Sequence, residues 1–168
     1  PANWELFLFA GKSEPRQLTN DPALEYDATF SPDGKWIVFC SERSGNPDLY
    51  ALDLEHPGAP RALTRDRFMA AAPAFTPDGK SLLFVSDRDG NADIFTMPFD
   101  PANTGAAERV HNLTHSLGGD YRPSVSPDGK TIVFSSDRDS FKVFLEDKTG
   151  PRGFETEIYA MDIDGSHL

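Results

Sequence analysis

A phrase that ends in Pro-Asp-Gly-Lys occurs three times in this chain, at Phe30–Lys35, Phe75–Lys80 and Val125–Lys130. Each copy leads into an apolar run that is followed by Ser-x-Arg, with the arginines at Arg43, Arg88 and Arg138. Pro32 and Pro77 are 45 positions apart, and Pro77 and Pro127 are 50 positions apart. An internal period of about 40–50 residues that is rich in strands and turns is typical of propeller blades or a similar array.

Alignment on this turn predicts four short strands in each repeat. The first strands are predicted at 27–30, 72–75 and 122–125; the second at 36–41, 81–86 and 131–136. The third strands are predicted at 48–52, 93–97 and 157–161, and the fourth carry Leu-Thr at 17–19, 62–64 and 112–114. Alternating apolar residues bounded by Gly, Pro and Asp favour strands over helices. Proline fixes φ in the turn and glycine accepts a positive φ, so Pro-Asp-Gly joins the first two strands of each repeat in a tight hairpin.

The predicted fold class is therefore all-β, with four-stranded antiparallel propeller blades and about three repeats. We expect one segment, 1–168, with a partial blade at 1–20, blades at 21–64 and 65–114, and a partial blade at 115–168 that carries a hairpin insert at 139–156. Closed propellers have at least four blades, so the ring is incomplete unless another chain or segment completes it. One arrangement is a homodimer that forms a six-bladed ring and removes exposed strand edges. The interface candidates are Trp4 and Phe7 near the first edge of the segment and the apolar residues Phe141, Phe144 and Leu145 in the hairpin insert.

Composition excludes some classes of partner. The 168-residue chain has a formal net charge of −11, which disfavours binding to a phosphate backbone, so we expect no nucleic-acid partner. No apolar stretch approaches the roughly 20 residues that a membrane-spanning helix needs. Cys40 is the single cysteine in the chain and lies in a predicted strand, which indicates a buried apolar residue.

No motif in the chain predicts catalysis or a cofactor. A Gly-x-Ser-x-Gly nucleophile turn is absent from the sequence, so we expect no catalytic residues and no enzyme activity from this chain. A weak calcium candidate is the alternating oxygen set of Asp87, Asp89, Asn91 and Asp93. Because the glycine and the twelfth-position glutamate of an EF-hand are out of place, a plain hairpin is the preferred interpretation. The recurring arginines, with Arg43 as the first, are interpreted as structural clamps on a neighbouring carbonyl or carboxylate.

The positions just before and within each first strand differ between repeats, although the frame around them is constant. They are Glu25, Tyr26 and Asp27 in one repeat, Ala70–Ala72 in the next, and Asp120, Tyr121 and Arg122 in the third. In a propeller these positions line the mouth of the central channel, where loops carry recognition. We predict an acidic, aromatic binding mouth here; the alternative is that these are ordinary solvated loop residues.

The third repeat resembles the TolB-type propeller repeat, a WD-like family. The resemblance is carried by Leu113-Thr114, Pro123, Ser126–Lys130, Ile132–Phe134, Ser136, Arg138 and Glu157–Asp162. The second repeat matches nearly as well, and the first has Ala28 where the family has proline. The resemblance implies a ring of radial blades that serves as a non-enzymatic scaffold for a protein partner or small ligand, in the periplasm or secreted. The alternative is a piece of the propeller that precedes the catalytic domain of prolyl-oligopeptidase-like or tricorn-like peptidases, or of a lyase, with its catalytic residues outside this chain.

Overall fold

The computed structural model of the chain describes residues 3–102, 109–139 and 156–168. Within these residues, almost all regular structure is antiparallel sheet. The strands are β1 (Phe7–Leu8), β2 (Arg16–Gln17), β3 (Glu25–Phe30), β4 (Trp36–Ser41), β5 (Asp48–Asp53), β6 (Arg61–Ala62), β7 (Ala70–Phe75), β8 (Ser81–Ser86), β9 (Asp93–Pro98), β10 (His111–Asn112), β11 (Asp120–Val125), β12 (Thr131–Ser136) and β13 (Glu157–Asp162).

Each sheet is a simple meander of consecutive strands. The orders are β1-β2, β3-β4-β5-β6, β7-β8-β9-β10 and β11-β12-β13. Two complete four-stranded sheets thus lie between a two-stranded and a three-stranded one, and the described sheets leave the ring open. The predicted all-β fold of propeller blades is confirmed.

The sheets pack face to face around their first strands. The strand β7 contacts both β3 and β11, so the first strands of successive sheets lie side by side on the inner edge of the array. One apolar layer joins Val38, Leu49 and Ala51 of one sheet to Phe84 and Phe95 of the next. A second layer joins Leu83 and Ile94 to Ile132, Phe134 and Met161 in the same manner. Burial of both sheet faces, not strand pairing alone, therefore holds the blades together.

The Pro-Asp-Gly turns form as predicted. In the first copy Ser31 Oγ donates to Asp33 Oδ1 at 2.5 Å, and the Asp33 carboxylate accepts from Lys35 N at 3.1 Å. Gly34 adopts a φ of +71°, which only glycine takes without strain. These hydrogen bonds hold the pKa of Asp33 below its usual range, with the Ser31 hydroxyl as the larger cause. The turn explains this aspartate without any catalytic role.

Two strand predictions need correction. The first strands begin at Glu25, Ala70 and Asp120, two residues earlier than predicted, because a β-bulge interrupts each one. The fourth strands are shorter than predicted and end before Leu-Thr. In the first full blade, Thr64 instead turns its hydroxyl towards the third strand, where it accepts from Leu49 N at 2.9 Å.

Candidate binding mouth

The bulge in each first strand places one residue in an unusual backbone conformation at the predicted mouth. Asp27, Ala72 and Arg122 have φ of +52°, +50° and +52°. The register passes from Tyr26↔Cys40 to Thr29↔Val38, so the bulged residues have no partners in the ladder. A bulge re-aims side chains, and a positive φ in a non-glycine residue costs on the order of 1–3 kcal/mol. The same strained conformation at the same position of three sheets is a repeated feature of the fold.

An arginine follows each second strand and is held between a serine and two aromatic rings. Arg138 Nε donates to Ser136 Oγ at 3.0 Å, and its guanidinium carbon lies 4.8 Å from the ring centre of Tyr159 and 5.2 Å from that of Phe134. Arg43 and Arg88 make the corresponding contacts with the serine and ring pair of their own blades. The hydrogen bond to serine and the cation–π contacts with the two rings fix the guanidinium at the candidate mouth end of these three blades.

The three arginines find their carboxylate partners in three different ways. Arg138 donates to both oxygens of Asp120, each at 2.9 Å. Arg43 donates to one oxygen of Glu25. The second full blade has Ala70 at this position, and Arg88 instead lies 3.5 Å from Asp66 Oδ2 in the preceding loop. The predicted structural clamp is thus present. Its carboxylate partner is either the first residue of the first strand or a residue four positions earlier in the chain.

The six predicted mouth residues divide into two buried clamp carboxylates and four more exposed residues. Glu25 and Asp120 are buried, 2% and 0% exposed, behind the mouth surface. Asp27, Tyr121 and Arg122 are exposed on the same strands, and Tyr26 is half-buried. The exposed or half-buried residues at the candidate mouth are therefore two tyrosines, one acid and one base, while the carboxylates of Glu25 and Asp120 lie buried behind them.

Each mouth tyrosine is held by neighbouring groups. The ring of Tyr26 packs edge-on against Trp4, with ring centres 6.3 Å apart, and its hydroxyl donates to Glu42 at 3.4 Å. Burial is the main cause that raises the pKa of Tyr26, and it raises the pKa of Tyr121 as well, with the negative charge of Asp137 as a further cause. Both tyrosines are therefore neutral phenols at neutral pH, suited to hydrogen bonding and to contact with apolar or cationic groups.

Two glycines that sequence reasoning overlooked determine the position of Tyr121. A Cβ on Gly119 would lie 1.9 Å from the Tyr121 hydroxyl oxygen, and a Cβ on Gly118 would lie 2.5 Å from Arg138 Cα. Gly119 N also donates to Asp137 Oδ1 at 2.6 Å. The Gly-Gly pair, three and four residues before the first strand predicted at 122–125, was the available signal, because glycines can mark close backbone approach.

A second overlooked feature is an acid–threonine pair that occurs in three of the four described sheets. Thr64 Oγ1 donates to Asp48 at 2.8 Å, and Thr114 Oγ1 donates to Asp93 at 3.0 Å. Thr19 Oγ1 likewise donates to Glu5 at 2.9 Å. The Leu-Thr signal therefore marks a side-chain lock between the third strand and the segment after the fourth, not the end of a strand.

The calcium candidate lies in this same network. Asp93 Oδ1 accepts from Thr114 and Ser116 N, while its Oδ2 and Asp89 accept from Asn112. Protein donors thus occupy these oxygens. Among residues 3–102, 109–139 and 156–168, no group of three or more His, Cys, Asp or Glu is arranged to hold a metal ion.

The interface candidates divide into two groups. Trp4 and Phe7 are 65% and 52% exposed, and Phe7 lines an apolar groove with Phe30 and Ile37 between β1 and β3. Phe141, Phe144 and Leu145 lie outside the described residues. No helix in the described part of the chain is long and apolar enough to cross a membrane.

The stacked meanders, inner-edge bulges and arginine clamps define a segment of a β-propeller. A family model for the TolB beta propeller domain matches residues 57–168. The chain belongs to this family.

Several proteins similar to this chain are TolB proteins. A 45-residue stretch is 40% identical to the Tol-Pal system protein TolB of Bordetella pertussis, which is 27% of this chain and 10% of that protein. A solved structure assigned as a TolB from Agrobacterium tumefaciens superposes with a TM-score of 0.76 at 28% identity, over 97% of this chain and 54% of that one. TolB from Acinetobacter baumannii superposes with a TM-score of 0.68 at 29% identity, over 91% of this chain and 33% of that one. This chain thus spans about half the length of the first of these structures and less of the other two proteins.

The peptidase alternative has weaker support. The tricorn protease superposes with a TM-score of 0.57 at 16% identity, over 89% of this chain but 14% of that one. A likeness at this level of identity shows the fold alone.

Proposed function

We propose that this chain is a non-enzymatic, protein-binding propeller segment that acts in the periplasm with proteins of a Tol-Pal-type system. The TolB family and the name of the Bordetella relative support this assignment. The partner or ligand binds at the mouth through Tyr26, Asp27, Tyr121 and Arg122.

One structural observation carries the proposed site. Bulges at the same position of three first strands present variable side chains, while buried arginine–carboxylate pairs hold the strands from behind. Rigid support beneath variable, exposed residues is the arrangement that a recognition surface needs. Tyrosine and arginine are also the residue types most often enriched at binding hot spots.

A matched pair of charge reversals tests the proposed site. Arg122 and Lys130 are both exposed and lie at opposite ends of the β11–β12 hairpin, so Arg122→Glu changes the mouth and Lys130→Glu changes the far turn. Isothermal titration of each variant with the purified Tol and Pal proteins of Bordetella pertussis compares the two ends. We expect Arg122→Glu to weaken binding at least tenfold and Lys130→Glu to leave it within about twofold, because charge effects on a contact are local. Equal losses, or no binding by the wild-type chain, contradict the proposal.

We further propose that two copies associate to complete a six-bladed ring. The support is the repeat count together with the exposed Trp4 and Phe7 at one end of the array. Light scattering across a concentration series should give twice the 18.5 kDa chain mass. A single 18.5 kDa species at every concentration contradicts this arrangement.

A further inference from the structure

The Glu25 clamp is built differently from its counterpart at Asp120. Asp120 offers both carboxylate oxygens to Arg138. The side chain of Glu25 is one methylene longer, and only its Oε1 accepts from Arg43. Its Oε2 is buried and accepts no hydrogen bond from the residues that the structure describes. A buried carboxylate oxygen without a donor is costly, and protonation would turn that oxygen into a donor.

A threonine hydroxyl beside Glu25 donates to another acid in the structure. Thr19 lies beside Glu25, but its single O–H donates to Glu5 Oε2 at 2.9 Å while its oxygen accepts from Leu6 N. The charged groups around Glu25 come from three elements: Glu5 before β1, Arg43 after β4, and Asp21 in the β2–β3 loop, 3.8 Å from Arg43 Nε. Burial raises the pKa of the Glu25 carboxyl, against the lowering effects of Thr19 and Arg43, and the charge of Glu5 raises it further.

The second full blade shows how an arginine is held when no carboxylate occupies the first strand. There Ala70 replaces Glu25, and Arg88 pairs with Asp66, four residues before Ala70. Asp21 stands four residues before Glu25 and is thus the counterpart of Asp66. The first blade contains both partners, so its arginine has two carboxylates within reach.

We propose that the Arg43 clamp is an acid-responsive switch, in which protonation of Glu25 moves the Arg43 guanidinium from Glu25 to Asp21. The proton enters on Oε2, the oxygen that lacks a donor, and Arg43 then makes the contact that Arg88 makes with Asp66. Asp21 is tied to the segment before β1, since its N donates to Glu5 Oε1 at 3.0 Å and its carbonyl accepts from Asn3. Tyr26 and Asp27 directly follow Glu25, so the switch regulates the mouth; this use, unlike the switch itself, rests on the proposed binding function.

A pH series on three variants without any partner tests the switch. Urea midpoints between pH 5 and pH 8 are measured for the wild-type chain, Glu25→Gln, Asp21→Asn and the matched control Asp66→Asn. Because the folded pKa of Glu25 is raised, its favourable contribution is complete in acid and is lost as pH rises through that pKa. We expect Glu25→Gln to be more stable than the wild type at pH 8, and this advantage to shrink as the pH falls towards 5.

Asp21→Asn should then cost more at pH 5 than at pH 8, because Arg43 relies on Asp21 in acid. Asp66→Asn, in the blade without the switch, should cost the same at both pH values. A crystal structure of Glu25→Gln should show Arg43 Nη2, which now contacts Glu25, moved to Asp21 at a distance like the 3.5 Å between Arg88 Nη2 and Asp66 Oδ2. In the wild-type chain Arg43 Nε lies 3.8 Å from Asp21 Oδ2. The proposal is wrong if Glu25→Gln fails to fold, if Arg43 stays at residue 25, or if the cost of Asp21→Asn is independent of pH. Because these measurements contain no binding partner, they test the switch independently of whether the mouth binds a partner.

Discussion

Removal of the Asp120 carboxylate should destabilise the last described blade more than any other change at the mouth. Asp120 is fully buried, and the side chain of Arg138 is 11% exposed. Deleting one member of a buried ion pair typically costs 3–5 kcal/mol, since the other charge stays buried without its partner. The Ser136 hydroxyl and the two rings still hold the guanidinium in Asp120→Ala, so we expect the lower end of this range, about 3 kcal/mol.

Urea unfolding followed by circular dichroism measures this loss. With a denaturant slope of about 2 kcal/mol per M, a loss of about 3 kcal/mol lowers the midpoint by about 1.5 M. The second full blade provides a rescue, because Ser116 occupies the position that corresponds to Asp66. Asp120→Ala combined with Ser116→Asp reproduces the Ala70–Asp66 arrangement and should recover about 1.5–2 kcal/mol, the lower part of the range for hydrogen bonds to charged groups. A loss below about 1 kcal/mol in Asp120→Ala, or no recovery in the double variant, would refute the reasoning.

Three further predictions concern the repeated features. Ala72→Gly should stabilise the chain by about 0.5–1 kcal/mol, because glycine removes the strain of a positive φ; calorimetry showing a lower melting temperature would contradict this. Thr64→Val should cost about 1–3 kcal/mol in chemical denaturation, since buried Asp48 loses one of its two hydrogen-bond donors and the Leu49 amide loses the Thr64 hydroxyl; an unchanged midpoint would mean that the acid–threonine lock contributes nothing. The lowered pKa of Asp78 means that its turn stabilises the fold above the ordinary aspartate pKa of about 3.9, and that this contribution is lost as pH falls through the folded value. Asp78→Asn should accordingly be less stable than the wild type at pH 7 and indistinguishable from it near pH 2; a constant difference would contradict this linkage.

The sequence predicted the repeat and its turns well, because local chemistry determines them. Pro-Asp-Gly specifies its own turn, and the second strand Trp36–Ser41 was predicted with the bounds that the structure shows. The first strands were predicted two residues short, since nothing in the sequence marks the bulge at Asp27. Leu-Thr was assigned to a strand because its spacing is regular, whereas the Thr64 hydroxyl acts after that strand has ended.

The exposure of the candidate mouth residues was predicted only in part. Polar residues before a strand indicate exposure, which holds for Asp27 and Arg122 but not for Glu25 and Asp120. Burial of those carboxylates depends on arginines 18 residues further along the chain, and such a pairing becomes visible only when the hairpin brings them together. Binding at the mouth stays a prediction until a partner is measured.

The central claim is that the mouth end of the blades is the binding surface, and photo-cross-linking tests it most directly. A benzoylphenylalanine placed at Tyr121, which is 37% exposed, is compared with one at the exposed Lys130 in the far turn. Each is irradiated with the purified Tol and Pal proteins of Bordetella pertussis, and adducts are identified by mass spectrometry. The account predicts adducts from position 121 and none from position 130. Adducts from position 130 alone would contradict it, as would the absence of adducts at both.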